Sequence, residues 1–158
     1  MQDNCESGVS IEEFHKEIDL VQACVSRMAQ NSFIIKGWAF MLVAAFIALT
    51  AESLDLYAIC AVGIFVLLVF WCLDAFFLKM ESLYRFKYEW VIVQRSKGNR
   101  ENLYDLNPYQ SKTWATGKKA PSVISVMFSR PCTLLMFYGS PIFIGVVIMV
   151  LKAANLLG

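Results

Sequence analysis

Two charged side chains stand inside otherwise apolar runs, and any chemistry within those runs has to start from them. Phe33–Ala51 is apolar apart from Lys36 and Thr50, and Leu56–Leu78 is apolar apart from Asp74. An acid in such a place is either a proton or cation site or one half of an ion pair, because an unpaired charge there is costly. One acid near an interface makes no relay, so the expected role is a Lys36–Asp74 pair. The competing reading is two charges that snorkel separately to the headgroups. Other catalytic candidates are thin. His15 is the only histidine, with Asp19 one turn later, and no second ligand or nucleophile accompanies it. There is no GxxxxGK[ST], HExxH, GxSxG or CxxC. Cys5, Cys24, Cys60, Cys72 and Cys132 read as small buried hydrophobes rather than as a disulfide frame. The expectation is therefore a protein that is not an enzyme, with no catalytic residues, no metal site and no cofactor.

A second set of residues speaks of binding. Between Lys79 and Arg130 there are ten bases (Lys79, Arg85, Lys87, Arg95, Lys97, Arg100, Lys112, Lys118, Lys119, Arg130) and four acids (Glu81, Glu89, Glu101, Asp105). Tyr84, Phe86, Tyr88, Trp90, Tyr104, Tyr109 and Trp114 are interleaved with them. Cations beside aromatics suit a polyanion whose bases stack. Three plainer readings stay open: membrane topology alone places bases here, aromatics form an ordinary interfacial belt, or the acids of the N-terminal segment neutralise this face.

The elements that must carry these residues are membrane helices. Each apolar run is close to the roughly 20 residues that cross about 30 Å of hydrocarbon, and neither shows a polar face. Only Glu52, Ser53, Leu54 and Asp55 separate them, so they form a hairpin. The 158-residue chain is 58% hydrophobic with mean hydropathy +0.53, unlike an ordinary soluble domain. Upstream, Ser10 and Glu13 match a capping box. Ile11, Phe14, Ile18, Val21, Val25 and Met28 follow as a heptad seam, with Glu12, Glu13, Lys16, Glu17 and Asp19 on the surface. The seam either continues into the first span as one long helix or bends at Asn31–Ser32. Gly37, Met41, Ala44, Ala48 and Ala51 make a mostly small-residue stripe that lets another helix approach.

Past Lys79 the run ESLYRFKYEWVIVQRSK reads as a helix stopped by Gly98, with Leu83, Phe86, Trp90 and Val93 on its apolar face. Asn99–Lys119, with turn signals at Asn107–Pro108 and Gly117, reads as loop. Pro121 and Ser122 open a short helix, and Pro131 opens a third apolar segment, Cys132–Leu151, bent at Gly139-Ser140-Pro141. The fold class expected is an all-α membrane protein. It comprises an amphipathic N-terminal helix (residues 1–32), a two-helix transmembrane hairpin (33–79), a basic aromatic cytosolic helix and loop (80–131) and a third transmembrane helix with the C-terminus (132–158). The basic bias puts residues 80–131 and the N-terminus in the cytosol and the acidic connection outside. A spanning third helix leaves the C-terminus outside, with Lys152 at the outer surface; a re-entrant one leaves it inside.

The pattern NSFIIKGWAF…FWCLDAFFLKMESLYR…YEW, followed by YDLNPY, resembles the membrane effectors of Hailong-type bacterial anti-phage systems. More distantly it is similar to the two-helix SLATT effectors. The resemblance covers roughly Ile11 to Pro108 and rests on membrane helices and their flanks rather than on a catalytic constellation. It implies a homo-oligomeric ion channel, a tetramer, in the bacterial inner membrane, which depolarises the infected cell and arrests growth when open. The implied ligand is an anionic product of a partner nucleotidyltransferase, such as a single-stranded DNA oligomer. Arg85, Lys87, Arg95, Lys97 and Arg100, with Tyr88 beside them, are the residues expected to line its site. A direct protein partner is not identifiable from the residues. The alternatives are a non-conducting membrane adaptor and a membrane-perturbing toxin regulated by a partner protein.

Overall fold

A computed structural model of the chain describes residues 9–50, 52, 54–109, 121–129 and 132–154. Expectations that fall on residues 1–8, Ala51, Ser53, Lys112, Trp114, Gly117, Lys118, Lys119, Arg130 and Pro131 lie outside the described residues. Among the described residues there are four helices and no strand: α1 (Ile11–Thr50), α2 (Leu56–Ser96), α3 (Val123–Ser129) and α4 (Cys132–Ala153). Three of them, α1, α2 and the Leu134–Ala153 stretch of α4, are long and apolar enough to cross a membrane.

Local chemistry explains the starts of α1, α2 and α3 and the end of α2. Ser10 and Glu13 close a reciprocal capping box: the Ser10 N–H donates to Glu13 Oε2 (3.0 Å) and the Glu13 N–H donates to Ser10 Oγ (3.2 Å). Glu12 and Glu13 then oppose the positive end of the helix dipole. With no glycine or proline at Asn31–Ser32, α1 runs through that point as a single helix rather than bending there. Asp55 caps α2, its side chain accepting from the Tyr57 N–H (3.2 Å) and its carbonyl from the Ile59 N–H (3.1 Å). α2 also runs unbroken past Lys79, because a change from apolar to charged residues changes the solvent and not the backbone. It ends at Gly98 (φ 72°), where the Asn99 N–H bonds the Gln94 carbonyl and the Gly98 N–H bonds the Arg95 carbonyl. Ser122 caps α3 through the Ser125 N–H (3.0 Å). α4 continues through Pro141, and the Ser140 hydroxyl donates to the Met136 carbonyl (2.6 Å) beside it.

The chain divides into two compact units, Met1–Ala29 with Met80–Pro121, and Gln30–Lys79 with Ser122–Gly158. We call them the charged unit and the apolar unit. In the apolar unit Ala39, Leu67, Trp71, Leu134 and Tyr138 are buried, flanked by Val43, Phe70, Leu78, Met127, Phe137 and Ile142. Phe40 meets Phe137 edge-on (centroids 4.8 Å) and Trp71 stacks on Tyr138 (6.4 Å). Most of the apolar surface nevertheless faces outward: Leu49 is 82% exposed, Phe33 78% and Phe143 68%.

The charged unit corrects two sequence expectations. Glu17, placed on the surface by the heptad reading, is fully buried beside Val21 and Cys24, while Ile11 is exposed. On α2 the buried face is Leu83, Lys87, Trp90, Val91 and Arg95, and Val93 is 41% exposed. Both shifts have one cause. Buried cations and a buried acid meet across the unit, and a pattern that counts only apolar residues misplaces the face by part of a turn.

Candidate functional site

In the apolar unit Lys36 and Asp74 lie together, Nζ to Oδ2 at 2.6 Å, with the Asp74 side chain fully buried and Lys36 one-fifth exposed. Ser32, one turn before Lys36, completes the arrangement. Its hydroxyl donates to Asp74 Oδ1 and accepts from Lys36 Nζ (2.8 Å). A buried carboxylate is thus met by an ammonium and a hydroxyl, the kind of compensation that burying charge requires. α4 brings a third polar group, the Tyr138 hydroxyl. It lies close enough to Asp74 for the two to interact, without a hydrogen bond of good geometry among the described residues. The other end of the same unit carries an exposed clasp. Lys152 near the end of α4 reaches Asp55 Oδ1 (2.5 Å) and sits over the Tyr57 ring (5.0 Å to the centroid). α4 therefore runs antiparallel to α2, with Tyr138 near Asp74, Gly145 against Ile64 and Lys152 at Asp55. Lys152, followed by the Tyr57 N–H, holds the Asp55 carboxyl below its ordinary pKa.

In the charged unit the central feature is Arg95 against Glu17. Two parallel bonds, Nε to Oε2 (2.6 Å) and Nη2 to Oε1 (2.8 Å), join side chains that are almost completely buried. The remaining capacity of both groups fastens the loop after α2. Arg95 Nη1 donates to the Asn99 carbonyl and to the Glu101 carbonyl (3.1 Å), while Glu17 Oε1 accepts from the Tyr104 N–H (3.2 Å). Asn102 (φ 56°) and Tyr104 (φ 60°) adopt the left-handed conformation in this loop, a strain these bonds offset. Lys87, only 1% exposed, is paired with Asp105 (3.2 Å) and lies over the Trp90 ring (4.9 Å). Arg100 pairs with Glu13 (2.7 Å). The Glu13 carboxyl is held below its ordinary pKa first by the Ser10 N–H and then by Arg100. Tyr84 is pushed above its ordinary value, mainly by burial and then by the neighbouring Cys24.

Of the residues expected to line an anion site, Lys87, Arg95 and Arg100 are thus engaged by Asp105, Glu17 and Glu13 of the same chain. Arg85 pairs with Glu81 one turn away (2.7 Å) yet stays 64% exposed, and Lys97 is exposed. Arg85 and Tyr88 share an open groove of about 380 Å³ with Gln22, Val25 and Glu89. No family model, curated protein or solved structure matches this chain.

The residues that sequence reasoning did not assign to these sites are Ser32, Trp71, Tyr138, Glu17 and Asp105. Ser32 carried a signal, since it lies at i−4 from Lys36 on one helical face. Glu17 carried only the general one that acids of the N-terminal segment could neutralise the basic face, and Asp105 carried none; their partners lie 78 and 18 residues away. Among the described residues no three His, Cys, Asp or Glu side chains converge. What the arrangement offers chemically is ion pairing, hydrogen bonding and an accessible cation–aromatic groove.

Proposed function

We propose that this chain is a pore-forming membrane effector that works as a homo-oligomer, a tetramer, in the bacterial inner membrane. Its role is anti-phage defence: the open channel depolarises the cell and arrests growth. It is gated by an anionic nucleotide or single-stranded DNA oligomer made by a partner nucleotidyltransferase. The observation that carries the reading is the outward-facing surface of the three long apolar helices. Only 6%, 17% and 11% of their apolar windows are buried within the chain. That surface calls for lipid and for further copies, and three spans alone enclose no wide pathway. The exposed stripe Gly37, Met41, Ala44 and Ala48 is a surface where copies can approach closely. The sequence resemblance supplies the defence role and the ligand class.

In this reading Arg85, Tyr88 and Lys97 are the first contacts for the anion. Lys87, Arg95 and Arg100 serve it only if the acids that hold them are displaced. Recordings of purified protein in planar bilayers test the proposal, discrete and reproducible conductance steps being the expected result. A single-stranded DNA oligomer added at low salt changes their open probability, because low salt favours phosphate contacts. A silent bilayer defeats the channel reading. One observation favours a second reading, a non-conducting adaptor: the internal acids already satisfy much of the basic face. Silent bilayers together with capture of a partner protein would establish that one.

A further inference from the structure

The buried side-chain atoms without a hydrogen bond, among the described residues, all belong to one helix crossing: Trp71 Nε1, the Tyr138 hydroxyl and Asp74 Oδ2. Asp74 Oδ2 has the Lys36 ammonium beside it but accepts no hydrogen bond. Trp71 precedes Asp74 by one turn of α2, and its ring is stacked on Tyr138 of α4 at an interplanar angle of 12°. The side chains themselves are shielded, with Tyr138 and Asp74 at 0% exposure and Trp71 at 7%. Two N–H or O–H donors and a carboxylate oxygen with a lone pair to spare therefore belong to neighbouring side chains of the apolar unit, Trp71 stacked on Tyr138 and Tyr138 close to Asp74. Hydrocarbon outside it supplies no partner for any of them, and each unmet group there costs several kcal/mol. Water is the molecule that fits this set. It accepts two hydrogen bonds and donates to an anionic oxygen, and a buried water ordinarily makes about three such bonds.

We propose that Trp71, Asp74 and Tyr138 hold a buried water molecule between α2 and α4, and that this water links α4 to the Lys36–Asp74 pair. α4 is then tied to the hairpin by polar bonds at this crossing as well as by apolar packing. The inference stands whether or not the protein conducts ions.

The test uses the full chain in deuterated detergent micelles and the indole N–H of Trp71 as the probe. The chain has four tryptophans, and Trp71→Phe assigns the resonance. A cross-peak between the Trp71 indole proton and water at short mixing time is expected. It should fall to background in Tyr138→Phe, whose thermal transition shows that the variant is folded. A wild-type spectrum with a resolved Trp71 indole and no water cross-peak overturns the proposal without recourse to any variant. A cross-peak of unchanged intensity in folded Tyr138→Phe overturns it as well, because Tyr138 then does not hold the water.

Discussion

Glu17 and Arg95 show how a charged residue can be central to a fold while looking like surface. A glutamate between Phe14 and Ile18 reads as solvated, and only its partner 78 residues away makes burial tolerable. Removing one member leaves the other charged and buried, which costs about 3–5 kcal/mol. Glu17→Ala or Arg95→Ala should therefore lower the denaturation midpoint sharply, whereas Glu17→Met combined with Arg95→Met should recover much of the loss. A double-mutant cycle with no coupling would contradict the pair. Lys36 and Asp74 stand differently. Their shared depth follows from hairpin geometry alone, and they lie 2.6 Å apart. Tyr138 is not readable in the same way, because the register of α4 against the hairpin is set by packing. Glu13 provides a pH test. Its folded-state pKa is depressed, so its contribution is fully present above the ordinary carboxylate range and is lost as pH falls through the folded-state value. An NMR titration should find the Glu13 midpoint below 4.5, moving upward in Arg100→Gln but still held down by the Ser10 N–H.

The helices were legible where their ends carry local chemistry, as at Ser10 with Glu13 and at Gly98. They were less so at Lys79, where a change of composition marks no break in α2. Gly98 has open space where a Cβ would stand but a left-handed backbone, so Gly98→Ala introduces strain without a clash. The expected cost is about 1–2 kcal/mol, read as a lower unfolding midpoint of the charged unit. Gly37 is the contrasting position. It is helical, and nothing within the chain lies within 4 Å of an added Cβ. Gly37→Ala should stabilise the isolated chain by about 0.5–1 kcal/mol through backbone entropy. Gly37→Leu, by contrast, should reduce the oligomer fraction measured in detergent if copies pack on this stripe. Unchanged assembly in Gly37→Leu moves the subunit contact to another face.

At the scale of the whole chain, the apolar unit presents a surface that water does not suit, and this was legible from two runs without a polar face. Extraction should therefore require detergent. Cysteines introduced at Glu52 and Lys97 should be modified by a membrane-impermeant reagent from opposite sides of the membrane; labelling of both from one side would refute the hairpin. What the linear chain conceals is that the charged unit is discontinuous, built from a segment before the hairpin and another after it. Glu17 leaves the ribosome long before Arg95 exists to receive it. In the membrane reading proposed above, the hairpin must be made first, and the nascent N-terminal helix waits on one side of the bilayer until its mate returns there. Biogenesis is thereby ordered: a chain whose hairpin enters the bilayer the wrong way round still carries both residues to one compartment, but one halted after its first span never can.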